Sequence, residues 1–475
     1  MDVFTAPERW DEAGDVIIIG SGLAGLAAAF EASGQGGRII VLEKMGYFGG
    51  NSALAGGGYA SWDSKLKLRQ KLGTDEDSWQ MHMEDTLKGG GYYGLPSLVR
   101  VMVEGAPAGL DWLVDAGVEF KDVLARVGGY RVPRGYQSAM PGKAMMDRVL
   151  KLALSSGAEL RLNSEVTAIF RDTPMGEILG VEVKNAGKTE RIFARKAVII
   201  ASGGFGRDIG LRMEYCPALN ESLPCSNHKG ATGEVIRLAK AVGADSLHME
   251  FIQLYPCADP KTGSVDSWAF YAYSGAGFGM IYVNSEGKRF VSELAGRDEV
   301  SKAQSGSCKK PTWAILNGGI VSALGMTQDE VKNGIRLGRM VKGDSASELE
   351  AALNMQKGAL TGSLDRINQA LKNDGTDPDF GGERGKGMIS LKDGPFFAIS
   401  QWPSVHYTMG GLRIDENAKV TDVLGKPIPR LYAAGEVCGG IHGSNRLAGN
   451  SLTECVVFGR IAGEKAGAEI ARAGV

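Results

Sequence analysis

Continuous apolar runs punctuate this chain, and glycines follow most of them. Residues 15–19 (DVIII), 38–42 (RIIVL), 197–201 (AVIIA) and 431–434 (LYAA) lack polar alternation, so they read as strands of a parallel sheet buried on both faces. Between the first two lies an alanine-rich segment, 23–33, with the composition of a helix. Helical patterns recur over 96–117 and 143–157, and short alternating segments such as 180–184 (GVEVK) predict a hairpin crossing the sheet. From about Phe251 the chain changes to aromatic and glycine-rich loops and then to polar helices such as 345–358. The earlier pattern resumes near Phe396. Strands alternating with helices, interrupted by a stretch of different character, predict an α/β fold carrying an insertion. No internal repeat or low-complexity linker is visible.

The turns carry the chemistry. Residues 20–25 (GSGLAG) form a tight glycine turn between the first strand and its helix, and Glu43 ends the next strand eighteen residues after Gly25. Strand, turn, helix, strand and acid in this order suit an adenine dinucleotide, with the diphosphate at the helix N-terminus and the acid at the ribose hydroxyls. A second glycine-rich run, 44–58 (KMGYFGGNSALAGGG), follows at once and lets backbone approach a large rigid ring closely. A flavin needs such a loop there; a nicotinamide does not. Residues 435–459 (GEVCGGIHGSNRLAGNSLTECVVFG) place Arg446 in a glycine-rich turn ahead of an apolar, helix-compatible tail. Backbone N–H groups, helix dipole and a bidentate guanidinium together make an anion site.

These segments, with 197–205 (AVIIASGGF), 284–290 (NSEGKRF), the pair Arg297 and Asp298, and 406–411 (HYTMGG), resemble the flavoprotein family of soluble fumarate reductases, succinate dehydrogenase flavoprotein subunits, urocanate reductase, aspartate oxidase and, more distantly, ketosteroid dehydrogenases. The matching motifs span nearly the whole chain. The resemblance implies a Rossmann-like FAD-binding domain in two parts, 1–250 and 379–475, with an α+β capping domain inserted at 251–378. It implies FAD contacts from Gly20, Ser21, Gly22, Ala24 and Gly25 in the first turn, and from Glu43 and Lys44 after the second strand. Gly49, Gly50, Asn51, Ser52, Gly56 and Gly57 follow in the loop, then Val166, then Ala201, Ser202 and Gly203. Gly435, Glu436, His442, Asn450, Ser451 and Leu452 complete the set. Membrane-bound members attach the flavin through a loop histidine, and Ser52 occupies that place, so FAD is expected without a covalent bond.

Reducing a carbon–carbon double bond requires a hydride at the β-carbon of an enoate, an anchor for its carboxylate and a proton at the α-carbon. Arg446 and His406 resemble the family's carboxylate ligands, and Arg297 its proton donor. An arginine stays protonated near neutral pH, yet an α-carbanion is basic enough to take its proton if a relay restores it. Each has a plainer reading: Arg446 as an interdomain salt bridge, His406 as a structural histidine, and Arg297 with Asp298 as a surface pair. Glu293 and Asp298 are the nearest acids in sequence. The chain departs from fumarate reductases at Tyr255, where they carry a histidine. It departs again at 270–276 (FYAYSGA), where Ala272, Tyr273 and Ala276 align with their charged relay. An unpaired second carboxylate in a closed site costs several kcal/mol, so fumarate is disfavoured. Trp268, Phe270, Tyr271, Tyr273 and Tyr255 are instead expected to form an aromatic wall for a monocarboxylate such as acrylate, methacrylate or a cinnamate. The alternatives are a ketosteroid-dehydrogenase-like desaturase of a cyclic ketone or keto acid, with Tyr255 or Tyr273 as acid and base, and an electron-transfer subunit without a substrate.

The bulk properties add boundaries. A chain of 475 residues with 43% hydrophobic residues and a formal charge of −2 builds a large ordinary core and disfavours nucleic acid as a partner. No run of about 18 apolar residues predicts a membrane span. Residues 1–14 are polar and acidic, unlike a signal peptide. Six cysteines without metal or haem spacing fit a reducing compartment, here the cytoplasm, with the periplasm as the alternative. Electrons are expected from a separate cytochrome, reduced flavin or quinol.

Overall fold

The computed structural model describes residues 7–126, 129–373, 375–382, 384 and 388–472; residues 1–6, on which part of the leader reading rests, lie outside these. The chain forms two compact units. One comprises residues up to Ala218, Asn227–Ile252 and residues from Tyr407 onward; the other comprises Leu219–Ser226 and Gln253–His406. Each has its own apolar core.

The first unit is built on an eight-stranded sheet. Its central order is Lys419–Thr421, Pro427–Ala433, Lys188–Ile200, Glu12–Ile19, Ile39–Leu42 and Glu159–Arg161. All neighbours pair in parallel except the first two. The apolar runs at 15–19, 38–42, 197–201 and 431–434 thus sit side by side, and Val16, Ile17 and Ile18 are fully buried among them. The segment at 180–184 belongs to an antiparallel hairpin, Ser164–Arg171 with Ile178–Asn185, that pairs onto Lys188–Ile200. Helices Leu23–Gly34, Pro96–Asp115 and Gly142–Ser155 occupy the expected segments.

The helix Leu23–Gly34 packs against the C-terminal helix Asn450–Ala468 with backbone almost touching backbone. A Cβ on Gly459 would lie 2.5 Å from the Ala24 carbonyl oxygen, and one on Gly463 would lie 2.3 Å from that of Ala28. Glycines one turn apart create this groove. They fix how closely the C-terminal helix, which starts four residues after Arg446, lies on the first helix.

The second unit carries a five-stranded sheet of Ile252–Ala258, Phe396–Thr408, Thr312–Asn317 and Ile281–Val283, with Met340–Gly343 also pairing to Phe396–Thr408. The helix expected over 345–358 ends earlier, at Ala352. Asn354 turns left-handed at φ 53°, and a separate helix, Ala359–Lys372, begins behind Gly358. Glu350 explains the break, because its carboxylate accepts the backbone N–H groups of Gly358 and Thr361 and caps that next helix.

Buried ion pairs fix the segment leading to Arg297. Arg289 donates to Glu293 at 2.8 Å and to Asp377 at 2.6 Å, and Arg384 reaches the same Glu293 at 2.7 Å. Glu293 also accepts the Tyr282 backbone N–H at 2.9 Å. Burial alone would raise the Asp377 carboxyl, but hydrogen bonds from Arg289 and from the Asp379 and Phe380 backbones outweigh it and hold the group well below the carboxylate range. A depressed value means this stabilisation is present above the ordinary aspartate value of 3.8 and is lost as the pH falls through the folded-state value. Replacing Asp377 by Asn leaves Arg289 and Arg384 undercompensated, so thermal denaturation near pH 7 should show a loss of about 3 kcal/mol. An unchanged melting temperature would show that the network carries no such load.

Candidate active site

The first unit contains a cleft of about 910 Å³ with its open mouth included. Its walls come from the ends of the parallel strands and the turns after them, where ligands bind in such sheets. Gly20, with φ +106°, turns the chain so tightly that a Cβ there would lie 2.3 Å from the Ala201 carbonyl oxygen. Gly25 lets the helix lie on that turn, since its Cβ would meet the Gly20 carbonyl oxygen at 2.0 Å.

Ser21 ties three segments together. Its hydroxyl donates to Glu43 at 2.6 Å and accepts the Gly49 N–H at 3.3 Å, while its backbone N–H reaches Glu43 at 3.1 Å. The Ser52 hydroxyl accepts the Leu23 N–H at 3.2 Å, so the second glycine loop is fastened to the first turn. Asn51 donates to Glu436 at 2.9 Å, and Glu436 accepts the Thr408 N–H at 3.1 Å. Burial pushes the Glu436 carboxyl up to about 7, against the opposing hydrogen bonds from Thr408 and Asn51.

Of the residues expected at FAD, Gly20, Ser21, Gly22, Ala24, Glu43, Lys44, Gly50, Asn51, Ser52, Val166, Ala201, Ser202, Gly203, Gly435 and Glu436 line the cleft. Gly25, Gly49, Gly56, Gly57, His442, Asn450, Ser451 and Leu452 stand outside that lining. A further wall comes from His228, Gly230, Ala231, Gly233 and Glu234, which the sequence reading missed. Lys44 Nζ reaches Thr232 and Glu234 at 2.5 Å each, and the His228 N–H donates to Asn51 at 2.7 Å. The signal was present as a third glycine turn, 230–233, running into the amphipathic helix Glu234–Ala241. The lining fits FAD: glycine backbone cradles the turn, Glu43 ends the second strand, and the Ser202 hydroxyl and His228 Nε2 are buried without a hydrogen-bond partner among the described residues.

Arg446 lies in the same unit, four residues ahead of the helix Asn450–Ala468. The turn around it is pinned from several sides. The Ser444 N–H donates to the Gly90 carbonyl at 2.9 Å, Asn445 to the Gly89 carbonyl at 3.1 Å, and the Tyr130 hydroxyl to the Ala448 carbonyl at 3.0 Å. Asn450, expected at the flavin, bridges His82 at 2.9 Å and Thr86 at 3.0 Å. His442 engages the buried Glu454 at 2.6 Å. The Arg446 guanidinium rests 4.9 Å from the centroid of Tyr407.

The second unit brings Tyr255, Tyr273, Arg297 and His406 together. The Arg297 guanidinium lies 4.9 Å from the Tyr255 ring centroid and 4.6 Å from that of Tyr273. His406 stacks 5.3 Å from Tyr255 and bonds through Nδ1 to the Ser226 hydroxyl at 2.9 Å. Tyr255 donates to the Ala269 carbonyl at 3.3 Å, and burial keeps its phenol protonated far beyond the ordinary tyrosine value. Arg297 opens the helix Arg297–Ser307, where the dipole disfavours a cation. No described carboxylate comes within 4.0 Å of it. The surface pair with Asp298 is not formed, and Glu293 is engaged by Arg289 and Arg384.

The expected aromatic wall is smaller than the composition suggested. On the helix Ser267–Ser274 only Tyr273 joins the Arg297 cluster. Phe270 is 55% exposed, Tyr271 bonds to Glu330 at 2.9 Å, and Trp268 packs on Gly334. Helical period explains part of this: Trp268 and Tyr271, five and two residues before Tyr273, lie on other faces of the helix, while Phe270, one turn before it, projects to solvent. Ala272 is buried in the core of this unit, and Ala276 is buried as well.

The FAD binding domain family matches residues 15–452. Urocanate reductase of Eggerthella lenta is 33% identical over 473 residues, covering 98% of this chain and 76% of the relative. The acrylate reductase flavoprotein subunit of Shewanella woodyi is 33% identical over 467 residues, covering 96% and 91%. The open conformation of a flavocytochrome c3 fumarate reductase superposes with a TM-score of 0.81 at 30% identity, covering 96% of this chain and 78% of that one.

Two measurements check the cleft. Gly20→Ala should weaken FAD binding by about tenfold or more through strain and collision, seen as flavin lost on gel filtration; full flavin content would refute the close approach. The raised Glu436 carboxyl means the folded apo-protein holds more protons than the unfolded chain between 4.5 and about 7. Stability of the FAD-free protein should therefore fall as pH rises across that window, by at most about 3 kcal/mol. In Glu436→Gln that part of the slope should vanish; an identical slope would show that the carboxyl titrates normally.

Proposed function

The chain belongs to the FAD-dependent fumarate reductase family and is an FAD-dependent oxidoreductase acting on carbon–carbon bonds; from that premise we propose that it reduces the double bond of an α,β-unsaturated monocarboxylate. The supporting observation is the setting of Arg297. It is a cation clamped by two phenol rings, with no described acid beside it and a tyrosine, Tyr255, as its neighbour. The Tyr255 hydroxyl is engaged by a backbone carbonyl, so of the proposed ligands His406 alone would remain for a second carboxylate. Leaving that charge poorly paired costs several kcal/mol.

In this proposal residues 251–378 are the capping domain and FAD is held without a covalent bond. Arg446 grips the carboxylate, aided by the N–H groups of the turn ahead of the C-terminal helix. Bound FAD, reduced by an external cytochrome, flavin or quinol, supplies the hydride for the β-carbon. Arg297 supplies the proton for the α-carbon, with Tyr273 as its neighbour for reprotonation. Its charge needs no tuning, since a guanidinium is protonated at every working pH. The urocanate and acrylate reductases among the relatives support this substrate class. No helix among the described residues is long and apolar enough to cross a membrane. The free cysteines support a cytoplasmic location.

Anaerobic oxidation of reduced methyl viologen by the FAD-loaded protein, with fumarate, acrylate, methacrylate, cinnamate and urocanate, tests the reading. A monocarboxylate should turn over fastest, and Arg297→Ala should lower kcat by about a hundredfold or more. Arg446→Ala should lower kcat/KM by a similar factor, about 10²-fold. Fumarate as the best substrate would overturn the monocarboxylate assignment. Activity confined to oxidation of ring ketones with an artificial acceptor would replace reduction by desaturation.

A further inference from the structure

Behind Arg446 lies a cluster containing Glu454 and Tyr407, two residues to which neither the motifs nor the proposed chemistry gives a role. Glu454, on the second turn of the C-terminal helix, is fully buried. One of its oxygens accepts the Tyr407 hydroxyl at 2.7 Å and His442 Nε2 at 2.6 Å. The other carboxylate oxygen and His442 Nδ1 are buried without a hydrogen-bond partner among the described residues. Burial, with Glu454 beside it, keeps the Tyr407 phenol protonated and therefore donating. A carboxylate shared between two donors fixes both in place. The face of the fixed Tyr407 ring is then offered to the Arg446 guanidinium at 4.9 Å.

Burying a carboxylate is costly unless strong hydrogen bonds compensate it, so a cluster of this kind serves rigidity better than bulk stability. An arginine side chain loses much rotamer freedom when held in one direction. A flat ring locked through its hydroxyl meets part of that loss before any ligand arrives. We propose that Tyr407 and Glu454 are positioning residues for Arg446: the Glu454 carboxylate orients the phenol, the phenol face orients the guanidinium, and His442 braces the same carboxylate from the turn that carries Arg446. This rests on the reading that Arg446 holds a carboxylate. It adds two residues that do not themselves touch substrate, and it predicts energetic coupling between position 407 and position 446.

The test is a double-mutant cycle read by binding rather than turnover. Oxidised holoenzyme is titrated with propionate, isobutyrate and 3-phenylpropionate, the saturated counterparts of the enoates, while flavin absorbance is followed. Tyr407→Phe keeps the ring and removes the hydroxyl; it should raise Kd by about fivefold or more. Glu454→Gln should act in the same direction. In the Arg446→Lys background, where the planar guanidinium is gone, Tyr407→Phe should change Kd by less than about twofold. A merely structural role would give the same factor in both backgrounds, and that result overturns the proposal, as do unchanged affinities in both Tyr407→Phe and Glu454→Gln. Absence of saturable binding to the parent protein overturns it together with the carboxylate role of Arg446. Silence in the methyl viologen assay with this coupling intact would fault the substrate reading alone.

Discussion

Backbone lying directly on backbone is the constraint from which the cofactor cleft follows. The first turn can lie against the end of the Lys188–Ile200 strand only because Gly20 has no Cβ to meet Ala201, and the first helix can lie on that turn only because of Gly25. The C-terminal helix in turn approaches the first helix through Gly459 and Gly463. Four missing side chains therefore set the height of one helix N-terminus and the line of another. A Cβ at any of these positions would lie 2.0–2.5 Å from a backbone carbonyl oxygen, so the elements would have to move apart. Glu43, Glu436 and the Arg446 turn keep their places because of that closeness, and polar ties such as Ser21 to Glu43 refine it.

Within this frame the buried cations are treated in two ways. Arg289 and Arg384 are surrounded by Glu293 and Asp377, and Arg134 by Asp77 and Asp85. In these networks, removing one member leaves another charge exposed to a low-dielectric interior. Arg297 and Arg446 also rest on tyrosine faces, as Arg134 does on Tyr130 and Arg289 on Phe380, so ring contact alone does not set them apart. An aromatic face favours a cation through its quadrupole without consuming its hydrogen-bond donors. Arg289, Arg384 and Arg134 thus hold the fold through acids, whereas no described carboxylate comes within 4.0 Å of Arg297.

Much of this was legible in the chain. Parallel strands showed as unbroken apolar runs, because burial on both faces removes alternation, and the turns showed as glycines at fixed offsets from them. Arg297 and Arg446 stood out because each sits in a distinctive segment. Other features escaped for definable reasons. The 228–234 wall is assembled by tertiary contact from a segment far from the other turns, and its own strand and acid signals are absent. The helix break near Ala352 depends on the Glu350 carboxylate capping the following helix, a preference hidden in a sequence of good helix formers. The aromatic stretch at 268–273 was read as one wall, although a helix distributes such a run around its circumference.

Position 407 illustrates the finest of these limits. On a strand successive side chains project to opposite faces, so His406 and Tyr407 enter different surroundings although they are adjacent. His406 packs with Tyr255 and bonds to Ser226; Tyr407 bonds to Glu454 and underlies Arg446. A histidine attracts attention for its chemistry, while a tyrosine beside it reads as filler, and Glu454 within an apolar helix reads as an exposed helix former. Only the register of the Phe396–Thr408 strand decides which of the two neighbours meets Arg446. Shifting that register by one residue would exchange the faces, setting the imidazole against Glu454 and the phenol against Ser226. The hydroxyl-to-carboxylate bond that orients the Tyr407 ring would be lost in that exchange, although the composition of the segment would be unchanged. The contact between Tyr407 and Arg446 therefore resides in strand register as much as in residue identity.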